Sequence, residues 1–306
     1  METDKKLIFS TGAKGGVGKS TLAILMVEAL REGGNTVASL EGDEHSPSLG
    51  TKYSSHPKVR VASVDLSSLM DEAGMELLGK AVGLLDAEYV IVNTPASGVR
   101  IFDEFPMVLA TLGREPRATW SLAINADRTE NGADDDGLFT SMDNGMLTAI
   151  DSRHVAVVRP LFQCSYRAQP FWYDNRRDVA ERLGLRTMEI PKFPASTLAA
   201  IHRVPSSISE LAERLDPILS ATLLLTWHRV KTALAGAVLE GEPNLPSPSH
   251  RSHFQSARRF SARVGLCSNC WGLRTVRLVR SEVRPTLDYV SLEAFYRVIK
   301  CPTHTQ

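Results

Sequence analysis

The chain has 306 residues, 43% of them hydrophobic, and its 35 Lys+Arg balance its 35 Asp+Glu. That length can bury a sizeable core, and the composition excludes a disordered polyelectrolyte. Four cysteines in so long a chain exclude a disulfide framework, and no apolar run reaches the ~20 residues of a membrane helix. The charge is unevenly spread. Residues 244–306 hold 10 Lys+Arg and 3 Asp+Glu, and residues 1–243 hold the other 25 and 32. An acidic body with a basic tail implies a polyanion-binding tail or pairing between the two parts. The N-terminus, Met1-Glu2-Thr3-Asp4-Lys5-Lys6, lacks the pattern of a secretory leader, so a cytoplasmic location is expected.

The apolar run at 6–11 predicts a buried strand. It leads into Gly12-Ala13-Lys14-Gly15-Gly16-Val17-Gly18-Lys19-Ser20-Thr21, which matches the phosphate-binding pattern G-x-x-x-x-G-K-[ST]. A helix is expected over 21–31, ended by Gly33-Gly34. Polyphosphate must lie against backbone N–H groups, and glycine clears the side chains that would block it. The helix start adds its positive end at the same place. Gly15, Gly16, Val17, Gly18, Lys19, Ser20 and Thr21 are therefore expected to hold a nucleotide. Lys19 would reach the terminal phosphates and the Ser20 hydroxyl would bind Mg²⁺.

With its early lysine, Lys14-Gly-Gly-Val-Gly-Lys-Ser-Thr resembles the deviant phosphate-loop ATPases of the ParA/MinD family, which includes nitrogenase iron proteins and cluster-assembly ATPases. The resemblance implies that Lys14 crosses a dimer interface to the partner's ATP. A second short strand at 36–40 ends in Glu41-Gly42-Asp43-Glu44-His45. In the family this strand ends in a D-x-D-like pair whose second acid orients the attacking water near the metal. Asp43 falls on that position. Glu41 falls on the first, where several members lack an acid.

A strand over 59–66 precedes a helical stripe at 69–85 formed by Leu69, Met70, Ala73, Leu77, Leu78, Ala81, Leu84 and Leu85, read as core. Glu88-Tyr89-Val90-Ile91-Val92-Asn93-Thr94-Pro95 has the shape of a Walker B strand, which the family usually writes with Asp before Thr-Pro. Asn93 can hydrogen-bond a metal-bound water but brings no negative charge to Mg²⁺. A slow or partner-activated ATPase is consistent with that departure.

Further elements are expected as a helix at 102–112 with Pro106 near its start, a strand at 118–125, a helix at 137–150 and a strand at 154–161. Asp134-Asp135-Asp136 reads as the acidic start of the 137–150 helix, with no metal assigned. Where the family often places an adenine-reading asparagine stands Arg159-Pro160. The middle region is most similar to the plasmid stability and conjugation group, the StbB/TraL-like ATPases. A last strand is expected at 187–191. Helix follows over 206–239, broken at Pro217, with an apolar face whose few cations favour core or dimer packing over membrane binding.

A proline- and serine-rich linker follows, and the tail after it holds nine arginines and one lysine. Cys267-Ser268-Asn269-Cys270 and Cys301-Pro302-Thr303-His304 have the spacing of a Zn²⁺ set, but 30 residues separate the pairs and Trp271 precedes Gly272. A basic extension without metal is the alternative, and either could bind DNA non-specifically through phosphates.

Together these readings predict an α/β fold over residues 1–241, a doubly wound, mostly parallel sheet flanked by helices, with a basic extension at 242–306. By resemblance the function is an ATP- and Mg²⁺-dependent dimerisation switch in plasmid or chromosome partition, conjugation or positioning of a complex, answering to an activator or adaptor protein. Three rivals stand: an iron–sulfur carrier using Cys267 and Cys270, an ATP-dependent ligase or small-molecule kinase, and a nucleotide-binding module made inert by Asn93.

Overall fold

The computed structural model describes residues 5–12, 15–66, 72–95, 99–112, 114–122, 135–161, 177–239, 260–264 and 276–280. The chain divides into two compact units, Met1–Asn244 and Leu245–Gln306.

The first unit alternates strand and helix: β1 (Lys6–Thr11), α1 (Lys19–Glu32), β2 (Val37–Glu41), α2 (Ser48–Tyr53), β3 (Arg60–Ser63), α3 (Glu72–Leu84), β4 (Tyr89–Asn93), α4 (Val99–Glu104), α5 (Leu109–Leu112), β5 (Arg114–Ser121), α6 (Asp135–Asn144), β6 (Val155–Pro160), α7 (Arg177–Arg182), β7 (Arg186–Ile190), α8 (Ala195–Arg203), α9 (Ile208–Glu213) and α10 (Pro217–Ala237). The strands form one sheet in the order β3-β2-β4-β1-β5-β6-β7, and every pairing in it is parallel. β2, β4 and β6 are buried along their whole length and β1 from Leu7 onward, as a parallel sheet covered on both faces requires. On one face Ile8, Ile91 and Val158 pack with α1, α2, α8, α9 and α10. On the other, Leu7, Phe9, Val90 and Val92 pack with α3, α4, α5, α6 and α7. This is the doubly wound parallel architecture expected, and it brings the strand C-termini to one edge.

Local chemistry explains where the elements depart from their periodicity. The helix expected at 102–112 is broken: α4 stops at Glu104, a 3₁₀ turn spans Pro106–Val108, and α5 resumes. Pro106 has no N–H to continue the ladder. The helix expected at 137–150 ends at Asn144, because Gly145 is extended and the Asp103 carboxylate accepts from Met146 N and Ser141 Oγ, each at 2.8 Å. In α3 the buried side chains are Met75, Leu78 and Val82, whereas Leu77 and Leu84 are 49% and 79% exposed. The core stripe is thus rotated from the expected one. The 206–239 helix breaks at Pro217 as read. Asp216 caps α10 by accepting from Ile218 N and Leu219 N, while Ser207 and Glu210 form a capping box on α9. Leu223, Trp227, Val230 and Leu234 of α10 are buried. Among the described residues no helix is long and apolar enough to cross a membrane.

Two short helices, α2 and α8, carry no clear periodic signal, yet they are locked together by a buried lysine. Lys52 Nζ donates to the carbonyls of Ile201 (2.8 Å), Val204 (2.9 Å) and Ser206 (3.2 Å) and lies 3.7 Å from Glu28 Oε1. Glu28, on α1, also accepts from Tyr53 OH at 2.7 Å and pairs with Arg31 at 3.1 Å.

In the second unit β8 (Phe260–Val264) and β9 (Val276–Arg280) pair antiparallel, Phe260 opposite Arg280. This pairing was not anticipated from the composition of the tail. Cys267, Cys270, Cys301 and His304 lie outside the described residues, so the Zn²⁺ and iron–sulfur readings fall there too.

Replacing Lys52 with methionine strands three carbonyls and weakens the charge balance around Glu28. The expected cost is about 3–5 kcal/mol, read as a lower urea midpoint at unchanged m-value. A loss under about 1 kcal/mol would mean that the ammonium is not the strut joining α2 to α8.

Candidate nucleotide site

The site assembles at the carboxyl edge of the sheet, where β1, β2 and β4 end side by side. The register places Glu41 opposite Asn93 and Asn93 opposite Ser10. Aligned residues on parallel strands share a face, and here that face carries α1. Ser10 Oγ donates to the Lys19 carbonyl at 2.8 Å, holding the first turn of α1 to the end of β1. Gly18 caps that turn with φ 91°, a conformation that favours glycine, and its carbonyl accepts from Leu22 N at 2.9 Å. Gly15 and Gly16 are exposed, whereas Val17 is buried. Lys14 lies outside the described residues.

Lys19 is 6% exposed. Burial pulls its ammonium down to about 8 against the opposing pull of Asp43. Two of the three expected catalytic groups, Lys19 and Asp43, thus feel each other's charge. Asp43 is held by a turn in which its Oδ1 accepts from Ser46 N at 3.0 Å. Gly42, between the acids, has no room for a side chain: a Cβ would lie 2.5 Å from the Asn93 carbonyl oxygen. That close approach is sealed by Gly42 N donating to the same oxygen at 2.9 Å.

Asn93 is fully buried. Its Nδ2 donates to Glu41 Oε1 at 2.7 Å and to Ser20 Oγ at 3.2 Å. Its Oδ1 is buried with no hydrogen-bond partner among the described residues. Ser20 and Asn93, two of the three expected metal-site residues, therefore touch, and Asp43, the third, stands two residues beyond Glu41. A hydroxyl, a buried carboxylate and an orphaned amide oxygen fit hydrated Mg²⁺, which takes oxygen ligands and keeps several waters.

Two members of the site escaped the sequence reading. Glu41 reads in the sequence only as the weaker, first acid of the D-x-D-like pair, yet it is the buried hub of the β2 edge, accepting also from Leu49 N at 2.8 Å and Asp43 N at 3.3 Å. Burial moves its carboxyl above the usual range. His202, on α8, pairs with Thr21 Oγ1 at 2.9 Å. Nothing local in the sequence marks a contact 181 positions apart. Burial, then the nearby Lys52 charge, holds the His202 imidazole below the usual range.

A family model described as the CobQ/CobB/MinD/ParA nucleotide binding domain matches residues 8–239. The chain belongs to this family. Among solved structures it is similar to MinD of Pyrococcus horikoshii OT3 complexed with Mg-ADP, at 14% identity over 74% of this chain and 95% of that one, TM-score 0.45. It is similar to apo McdA of Cyanthece at 15% identity over 75% and 99%, TM-score 0.46, and to a plasmid partition protein of Borrelia burgdorferi at 12% over 73% and 96%, TM-score 0.40. Comparison with curated proteins returns no match. The phosphate loop is thus that of a CobQ/CobB/MinD/ParA-type nucleotide-binding domain.

Lys19→Met should abolish ADP binding, read by calorimetric titration, because the buried ammonium at the start of α1 is the cation of this edge. ADP affinity equal to that of the parent chain would remove Lys19 from the phosphate site. His202 gives a pH dependence of known sign. Its folded form resists a proton that the unfolded chain accepts, so stability is full above the unfolded value and falls as pH drops below about 6.5. His202→Gln should flatten part of that fall in urea midpoints between about pH 7 and 5, leaving the portion due to His56, which burial also lowers. An identical slope in the variant would remove His202 from the account.

Proposed function

We propose that the chain is an ATP-binding and ATP-hydrolysing dimerisation switch of the ParA/MinD type. The observation that carries this reading is the meeting of the Lys19–Ser20 turn with the ends of β2 and β4, which supplies a phosphate cradle, a metal-facing hydroxyl and an acid in one place. In this reading the backbone from Gly15 to Thr21 and the Lys19 ammonium hold the polyphosphate. Asp43 orients the attacking water, and Lys14 closes a dimer across the partner's ATP. Mg²⁺, bound with the nucleotide, would neutralise charge on the terminal phosphates. Hydrolysis releases the dimer, so the energy goes into assembly. Partition, conjugation or positioning of a complex in the cytoplasm suits such a switch, acting with an activator protein. The domain would span residues 1–241, and the basic tail at 242–306 would contact DNA phosphates. Asn93 favours one second reading, a nucleotide-binding module with little hydrolysis, because its neutral amide stands where the family pattern puts an acid.

Light scattering with Mg·ATP and with Mg·ADP, on the parent chain and on Lys14→Gln, tests the switch. A mass that doubles with ATP alone, and does not in the variant, is expected. A single mass in every nucleotide would exclude the dimer and leave the nucleotide-binding module.

A further inference from the structure

β4 ends in a neutral amide at Asn93, and the buried carboxylate of this row stands opposite it on β2, at Glu41. Resting on the nucleotide-site reading above, we propose that Glu41 supplies the site's fixed charge toward Mg²⁺ and that Asn93 serves as the hydrogen-bond donor positioning that carboxylate.

Three observations converge. First, the register pairs the two residues directly across adjacent strands, and the Asn93 amide is oriented by its neighbours. Facing a carboxylate at 2.7 Å it must present Nδ2, and the same group donates to Ser20 Oγ. The amide oxygen is thereby turned away and left unpartnered among the described residues. Second, Glu41 is short of donors. An ionised carboxylate offers about four acceptor positions, and Asn93 Nδ2, Asp43 N and Leu49 N fill three. One position on Oε2 remains beside its bond from Leu49 N. That position and the unpartnered Asn93 oxygen are acceptors, and the waters of a hydrated cation are donors that would fill them. Third, an acid at position 93 would set two carboxylates at the 2.7 Å now spanned by an amide and an acid, where like charges repel strongly. Acid on β2 with amide on β4 keeps one negative charge in the row without that repulsion.

A purely structural role for Glu41, capping α2 through Leu49 N, accounts for one bond on Oε2 and leaves unexplained its bond from Asn93, whose amide also donates to Ser20. The two roles separate experimentally, because Glu41→Gln keeps the shape and an oxygen to accept from Leu49 N while removing the charge, its amide NH₂ being met by a turn of the Asn93 amide that presents Oδ1.

The test uses the full chain, ADP and Mn²⁺, with Mn²⁺ uptake read by electron paramagnetic resonance and folding by thermal melts. Glu41→Gln should weaken Mn²⁺ uptake in the presence of ADP by about tenfold or more and shift the metal-free melt little. Exchanging the pair, Glu41→Gln with Asn93→Asp, should restore uptake to within about threefold of the parent, since each 1.4 kcal/mol is tenfold. Asn93→Asp alone should lower the metal-free melting temperature, and Mn²⁺ should raise it by more than it raises the parent. Parent-like Mn²⁺ uptake by Glu41→Gln, or an exchanged pair no better than that single variant, would overturn the proposal. So would an Asn93→Asp chain indifferent to Mn²⁺. A single mass in light scattering with Mn²⁺ uptake intact would sink the dimer switch and leave the relocated charge standing.

Discussion

A hydrogen bond of 2.7 Å between Asn93 and Glu41 joins the ends of β4 and β2, and the geometry of the nucleotide site depends on it. Seven parallel strands must all finish at one edge, where the peptide groups run out of partners and the chain turns away. At that edge β4 lies between β2 and β1, so a side chain on Asn93 can reach both neighbours. It holds Glu41 on one side and Ser20, in the first turn of α1, on the other. Gly42 permits the approach by leaving the Asn93 carbonyl uncovered. An alanine there would push β2 and β4 apart at the point where the site is narrowest.

From Glu41 the contacts run round the site and return to it. Glu41 accepts from Leu49 N and fixes the first turn of α2. Lys52, at the other end of α2, grips the Ile201 carbonyl in the last turn of α8 and the Val204 carbonyl just after it. His202 on α8 then reaches back to Thr21, one residue past Ser20. Each link joins groups that would be costly to bury alone, and each finds its partner on a different element. Two helices of only six and nine residues are too short to persist by propensity. They are ordered because this ring of polar contacts and the core beneath it fix them.

The legible part of the molecule was the part written locally. Gly12 to Thr21 is contiguous, and the chemistry of a phosphate cradle dictates its residue types one by one. The strands around it are apolar runs bounded by turn residues, so their existence was readable, although β5 starts four residues before the expected 118. Helix phase was less secure. Leu77 and Leu84 continue a helical stripe in α3 but face outward, because only packing against the sheet decides which of two overlapping stripes turns inward. Glu41 could be placed beside Asp43 but not beside Asn93, since strand order β2-β4-β1 is a property of the sheet and not of any segment. The same holds for His202 and Lys52, whose partners lie 149 and more positions away.

The electrostatics of the edge describe a site built for ligands of both signs. Desolvation pulls the Lys19 ammonium down to about 8 and pushes the Glu41 carboxyl up, each toward its neutral form. Neighbouring charge and hydrogen bonds oppose the shift in both cases: Asp43 acts on Lys19, and the Asn93 amide acts on Glu41. In the proposed reading a polyphosphate would add negative charge beside the Lys19 ammonium, and a divalent cation would add positive charge beside the Glu41 carboxylate. Ligands that relieve such costs bind the folded state alone and stabilise it by mass action. The same burial that weakens the empty domain thus strengthens the loaded one, because interactions formed out of water are less screened than those on a surface.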